Sequence, residues 1–96
     1  MFLHLGADTV IPLRDVIVIT DIKVAKSGIN DEFLKVMREE SMIEDVSEDN
    51  AKSFVVTEKK VYLSAISATT LKKRANFLFD NEEEKDDRIY FVANTD

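Results

Sequence analysis

The side chains with the greatest catalytic potential are scarce in this 96-residue chain. It contains no cysteine, one histidine and two glycines. Without cysteine, a disulfide, a thiolate nucleophile and a thiolate metal site are all excluded. His4 stands among apolar neighbours and has no second imidazole with which to share a metal ion, so we expect a structural role for it. Two glycines cannot supply a glycine-rich phosphate loop. We therefore expect a protein that is not an enzyme and that uses no metal or cofactor.

Carboxylates are abundant, but their arrangement does not favour acid–base chemistry. Twelve of the 19 acidic residues fall in two runs, within residues 39–49 and 80–87. General acid–base catalysis needs a pair of carboxyl groups held in a cleft with shifted pKa values. The spacing of an EF-hand calcium loop is also missing. Such runs are typical of solvated surface that keeps a small protein soluble.

Basic residues dominate the rest of the chain. Outside the two acidic runs, the chain has 12 basic and seven acidic residues, although the net charge of the whole chain is -6. A local excess of Lys and Arg is what phosphate contacts require. Arg14 and the run Lys72, Lys73, Arg74 are therefore candidates for a functional contact. From these residues alone, an ion pair between Arg14 and Asp15 and a solvated helix face remain the simpler alternatives.

The chain is organised around an apolar stretch at residues 14–21. Four consecutive branched aliphatic residues, 16–19, follow Arg14 and Asp15. A short run of Val and Ile without helical periodicity predicts a strand that is covered on both faces. We expect this strand in the middle of a sheet, with Arg14 held at its N-terminal end.

Two pairs of short strands are predicted to form hairpins. Residues 1–5 and 9–13 flank a tight turn, and Pro12 makes the second strand an edge strand or ends it. Residues 53–57 and 61–64 are rich in β-branched and aromatic residues and flank a charged turn. Residues 41–52 are predicted to form a short strand or irregular crossing and then a loop.

Two helices complete the prediction, which is a small single-domain α+β fold with a mostly antiparallel sheet. After a loop at residues 23–28, Asn30 is expected to cap a helix that runs to about Glu40. Ser67 is expected to cap a second helix. Each helix has an apolar stripe that is expected to pack on the sheet. The stripes are Phe33, Leu34 and Met37 in the first helix, and Ala68, Leu71, Ala75 and Leu78 in the second.

An apolar segment follows the second acidic run: Ile89, Tyr90, Phe91 and Val92. It has to be buried, either as an internal edge strand or between subunits. We assign it to a subunit contact, because a chain this short buries only a modest core. No apolar run approaches the ~20 residues of a membrane span, and the first residues lack the features of a signal peptide. A cytoplasmic protein without membrane contact is expected.

Three blocks of sequence resemble a known family. They are FLHLG with Asp8 at the start, RDVIVITD at residues 14–21, and the stretch from Lys52 to Ala75, which includes KSFVVT, VYLS and TLKKRA. In this order they resemble the RemB branch of the bacterial extracellular-matrix regulator family, RemA/RemB. The resemblance covers one domain at residues 1–79 and leaves residues 80–96 outside it.

The resemblance implies a small α+β subunit that assembles into rings and regulates transcription of biofilm-matrix genes. RemA-type members bind DNA through arginines repeated around the ring, and Arg14 matches one of these positions. Before the strand at residues 53–57, where RemA has two more arginines, this chain has Glu48 and Asp49 and keeps only Lys52.

We therefore expect a homo-oligomeric regulator that binds double-stranded DNA weakly or together with a more basic relative. The expected DNA contacts are Arg14, Lys52, Lys72, Lys73 and Arg74. Neutralising Glu48 and Asp49 is expected to raise the affinity for DNA. The alternative is a protein-interaction subunit without nucleic-acid contact, whose acidic runs dock on a basic partner.

Overall fold

Two sheets and three α-helices make up the computed structural model, which describes residues 1–25 and 28–80. The first sheet is an antiparallel hairpin of β1 (Phe2–Gly6) and β2 (Thr9–Pro12). The second sheet contains β3 (Val16–Asp21), β4 (Ile43–Asp45), β5 (Ser53–Thr57) and β6 (Val61–Ser64), in the order β3-β5-β6-β4. The helices are α1 (Ile22–Ala25), α2 (Gly28–Glu39) and α3 (Ala68–Asp80). The predicted α+β class is confirmed, although the four-residue α1 was not predicted.

The apolar strand β3 lies at an edge of the four-stranded sheet, so the prediction that it occupies the middle is wrong. Among the described strands, β3 pairs with β5 alone. Val16 and Ile19 are fully buried, but Ile17 is 40% exposed, next to a bulge between residues 16 and 18. Apolar side chains indicate that both faces of a strand are buried, but they do not indicate how many strands pair with it. Helices can bury the faces of an edge strand as well as those of a central strand.

The sheet is covered on both faces, because alternate residues of a strand point to opposite sides. On one face, Val55 of β5 belongs to a core formed with α3 and the β1–β2 hairpin. On the other face, its neighbour Phe54 packs with Leu34 of α2. The predicted stripe of α3 is confirmed, since three of its members are buried and the fourth is half-buried: Ala68, Leu71, Ala75 and Leu78.

Local side-chain bonds determine where the helices begin. The N–H of Thr70 donates to Oγ of Ser67, 3.2 Å away, which confirms Ser67 as the cap of α3. The N–H of Lys23 donates to Oδ1 of Asp21 at 2.8 Å, so a carboxylate supports a helical turn where a loop was predicted. The helix α2 begins at Gly28, two residues before the predicted cap Asn30, and it ends at Glu39, close to the predicted end.

Thr57 explains how the β5–β6 hairpin turns without the usual glycine or asparagine. Its Oγ1 accepts hydrogen bonds from the N–H groups of Lys59 and Lys60, at 3.2 and 3.0 Å, and donates to the Lys60 carbonyl at 2.7 Å. Both predicted hairpins and the short strand β4 are confirmed. The predicted acidic linker beyond residue 80 and the apolar segment at residues 89–92 lie outside the described residues.

Candidate nucleic-acid interface

The antiparallel pairing of β3 with β5 determines where the predicted DNA contacts lie. Val16 pairs with Thr57 at one end of this ladder, and Asp21 pairs with Ser53 at the other. Arg14 precedes β3 and Lys52 precedes β5, so they lie at opposite ends, roughly 17 Å or more apart. The structure does not bring these two predicted contacts together.

Arg14 lies in a 3-10 turn, Leu13–Asp15, that is held between two neighbouring segments. The N–H of Leu13 donates to the Met1 carbonyl at 2.9 Å, and the N–H of Glu58 donates to the Asp15 carbonyl at 3.2 Å. The second bond brings the hairpin turn, with the exposed Lys59, beside Arg14. Arg14 itself is exposed and makes no ion pair within residues 1–25 and 28–80, so the predicted alternative of a pair with Asp15 does not form there.

Helix α3 runs from the Lys52 end of the sheet toward the Arg14 end. Its cap, Ser67, follows shortly after β6, and Oγ of Ser64 donates to the Leu5 carbonyl at 2.6 Å. The C-terminal part of β1 is thereby held where α3 begins. The opposite end of β1, at Phe2, lines a groove together with the C-terminal half of α3. Lys73 and Arg74 are exposed along this half, whereas Lys72 is half-buried and already engaged in an interaction.

The groove between β1 and α3 has a volume of about 500 Å³. Its apolar lining includes Leu3 and Leu78, and Lys73 and Arg74 stand beside it. Phe2 pairs with Pro12, so the Cα atoms of Phe2 and Arg14 are within about 12 Å of one another.

We call Arg14, Lys59, Lys73 and Arg74 the basic end. None of the four makes an ion pair with another described residue. Sequence reasoning missed Lys59. The charged turn at residues 58–60 was visible, but its position beside Arg14 depends on the pairing of β5 with β3.

Lys60, the next residue, is held in a different way. Its Nζ lies 2.6 Å from Oε1 of Glu44 and 5.4 Å from the centre of the Tyr62 ring. The hydrogen bond to Glu44, with a smaller contribution from Tyr62, raises the pKa of Lys60. This ammonium group is therefore already compensated, and we leave it out of the basic end.

The opposite end of the sheet is acidic. Asp45, at the end of β4, pairs with Leu63 and is followed by a loop at residues 46–50. The Ser47 hydroxyl and N–H both donate to Oδ1 of Asp45, and the N–H of Asp49 donates to Oδ2; these bonds, the hydroxyl first, lower the pKa of Asp45. Glu48 and Asp49 adopt left-handed backbone conformations, with φ of 55° and 67°. We call residues 45–50 the acidic loop.

Lys52 belongs to this acidic end. Its N–H donates to the Ser64 carbonyl at 2.8 Å, and its carbonyl accepts from the N–H of Ile22 at 3.0 Å. Its backbone therefore lies at the end of the sheet that carries the acidic loop, whose carboxylates repel phosphate. Of the five predicted DNA contacts, Arg14, Lys73 and Arg74 lie toward one end of the domain, and Lys52 lies at the other.

Other kinds of site receive no support within residues 1–25 and 28–80. That part of the chain has no group of acidic or histidine side chains placed to hold a metal ion. Nor does it contain a helix that is long and apolar enough to cross a bilayer. Nε2 of His4 lies 2.9 Å from the Ala7 carbonyl across the hairpin turn, an arrangement suited to a structural residue.

The structure is that of a small single-domain α+β protein with a basic end and an acidic end. Residues 2–75 match the RemA-like family, described as "Extracellular matrix regulatory protein A-like". The chain is also 42% identical over 80 residues to "Extracellular matrix regulatory protein B" of Bacillus subtilis strain 168, an alignment that covers 83% of this chain and 96% of that protein. The chain therefore belongs to the RemA-like family, in its RemB branch, and the resemblance found in the sequence is confirmed.

Proposed function

We propose that this protein is a ring-forming regulator of transcription of biofilm extracellular-matrix genes and that it contacts duplex DNA through its basic end. The name of the Bacillus subtilis relative supports a role in matrix regulation. The observation that carries the DNA contact is an uneven distribution of charge along the domain. The four cations of the basic end make no ion pair with a described residue and outnumber the two carboxylates beside them, Asp15 and Glu58. At the other end, the acidic loop and Asp21 outnumber Lys23 and Lys52. Phosphate contacts provide affinity without base recognition, so the basic end positions the protein on DNA and does not read sequence.

Binding by one subunit is expected to be weak. The basic end has four cations, while the whole chain carries a net charge of -6 that repels the phosphate backbone. In a ring, the same cations recur at fixed intervals, and simultaneous engagement multiplies their effect. A more basic relative in the same assembly would further raise the affinity for DNA. Lys52 is not included in this proposal, because it lies beside the acidic loop.

Replacing Arg14 with alanine tests the DNA contact. Each engaged subunit should lose one phosphate contact, which weakens binding about 5- to 10-fold per engaged subunit at 0.1 M salt and reduces the slope of log affinity against log salt by about one unit per engaged subunit. The loss should be similar for different DNA sequences. Fluorescence anisotropy with labelled duplexes, including a matrix-gene promoter fragment, measures both quantities. Light scattering on the same samples checks that the oligomer is unchanged.

Two results would contradict this proposal. A wild-type protein that forms rings but binds no duplex at low salt would rule out direct DNA contact and favour the protein-interaction subunit. An Arg14→Ala variant that binds with unchanged affinity and salt dependence would remove Arg14 from the interface even if DNA is bound.

The acidic loop should influence DNA only at low ionic strength. It lies about 17 Å from the Arg14 end, which is more than the Debye length of ~10 Å at 0.1 M salt but less than the ~30 Å at 0.01 M. Glu48→Gln combined with Asp49→Asn should therefore raise affinity at 0.01 M salt and leave it nearly unchanged at 0.15 M. Anisotropy titrations at the two salt concentrations distinguish these cases. An equal gain in affinity at both salt concentrations would place the acidic loop within the DNA interface.

A further inference from the structure

The groove between β1 and α3 has the composition of a docking site. Phe2 and Phe77, which stand on its two sides, are 63% and 67% exposed, while its floor at Leu3 is buried. Exposed apolar surface of this kind, bordered by charged residues, commonly marks a contact with another segment. Here the bordering charges are Lys73 and Arg74, which make no ion pair within residues 1–25 and 28–80.

Residues 82–92 of this chain have the complementary composition. Residues 82–88 contain five carboxylates, at positions 82–84, 86 and 87, and two cations, Lys85 and Arg88, so their net charge is -3. The aromatic and aliphatic residues Ile89, Tyr90, Phe91 and Val92 follow. The carboxylates match the two cations beside the groove, and the apolar residues match its lining. This combination of charge and apolar surface favours one particular occupant over an unspecified hydrophobic partner.

The length of the chain allows the segment to reach the groove. Helix α3 ends at Asp80, two residues after Leu78, the last residue of the groove lining. On α3 the groove lining extends from Lys73 to Leu78, which is about 7.5 Å along the helix axis. The eight residues 81–88 span up to about 28 Å when extended, which is ample for the segment to turn back along the helix.

In place of the subunit contact expected from the sequence, we propose that residues 82–92 dock in the groove of their own subunit, with Tyr90 and Phe91 between Phe2 and Phe77 and the carboxylates beside Lys73 and Arg74. The docked segment would occupy two of the four cations of the basic end, so it would compete there with any polyanion. The docking itself does not depend on DNA binding, and tryptophan quenching and disulfide cross-linking measure it without DNA.

A single tryptophan reports on the docking in the full-length protein. The chain has no tryptophan, so Tyr90→Trp introduces a unique fluorophore. When docked, the introduced indole should be quenched by acrylamide several-fold less than the same indole in a synthetic peptide of residues 81–96 that carries the same substitution. Adding Phe77→Ser or Arg74→Glu should return quenching toward the peptide value. The matched changes Phe33→Ser and Lys35→Glu on α2, on the other face of the sheet, should have no effect. Quenching of the full-length protein equal to that of the peptide would overturn the proposal.

A cross-link distinguishes the same subunit from a neighbour and does not rely on the stability of the groove variants. Because the chain has no cysteine, His4→Cys with Phe91→Cys creates one defined pair. Oxidation should give a monomer of altered mobility on a non-reducing gel. Covalent dimers would instead assign the segment to the groove of a neighbouring copy, and no cross-link at all would place it elsewhere; either result would overturn docking within one subunit. Phe33→Cys with Phe91→Cys is the control pair, and it should remain reduced.

Discussion

Replacing Leu71 with alanine is expected to lower the free energy of unfolding by about 3 kcal/mol. Leu71 is fully buried on α3, in the core that joins the helix to the β1–β2 hairpin and to one face of the sheet. A domain of this size has a stability of roughly 5 to 14 kcal/mol, so the loss would be a large fraction of the total. The groove between β1 and α3 would also lose its shape, because the same packing holds α3 against β1.

Urea unfolding followed by far-UV circular dichroism measures this loss. Val36→Ala on α2 is the control, because Val36 is exposed and its truncation should change stability by less than about 0.5 kcal/mol. All proteins must be compared at one concentration, because any association of subunits would contribute to apparent stability. Equal midpoints for the two variants would show that the packing of α3 is not what stabilises the domain.

The elements that sequence predicted well are those determined by neighbouring residues. Ser67 caps α3, and the buried stripe that includes Leu71 follows from helical spacing, so the pattern alone located this helix. The hairpin of β5 and β6 was predicted from two β-rich runs with a short gap. In each case the partners are close in sequence, and few alternative arrangements compete.

The position of β3 could not be read from sequence in the same way. Its run of Val and Ile indicates buried faces, and helix α3 with the β1–β2 hairpin supplies much of that burial. Whether a strand has one neighbour or two depends on which strands pair with it. The partner of β3 is β5, which lies far along the chain, so the residues near β3 carry no pattern that reveals the pairing. Helix α1 was missed because the carboxylate that supports its first turn, Asp21, is also the last residue of β3.

The candidate site shows the same limit. Two residues that each precede a strand look equivalent in sequence, as Arg14 and Lys52 did. When those strands pair antiparallel, the two residues must lie at opposite ends of the sheet, whereas a residue that follows one strand joins a residue that precedes the other. This rule brings Lys59 beside Arg14 and separates both from Lys52.

The β3–β5 ladder also provides a closely matched pair of DNA-binding experiments. Arg14 and Lys59 flank its two strands at one end, and Lys23 and Lys52 flank them at the other. All four side chains are exposed. Replacing either pair with alanine removes two positive charges, so the general repulsion between protein and DNA changes by the same amount in both variants. Any difference in binding must then come from where the charges lie.

If each cation makes one phosphate contact, Arg14→Ala with Lys59→Ala should weaken binding to duplex DNA roughly 50-fold at 0.1 M salt and lower the salt slope by nearly two units for every subunit that engages the DNA. Lys23→Ala with Lys52→Ala should change affinity only about 2- to 3-fold, through net charge alone. Anisotropy titrations over a range of salt concentrations give both numbers, and light scattering confirms equal assembly. Similar losses in the two variants would mean that DNA responds to total charge and that no defined interface exists. A larger loss from the Lys23 and Lys52 pair would move the interface to the acidic end and reverse the proposed orientation of the subunit on DNA.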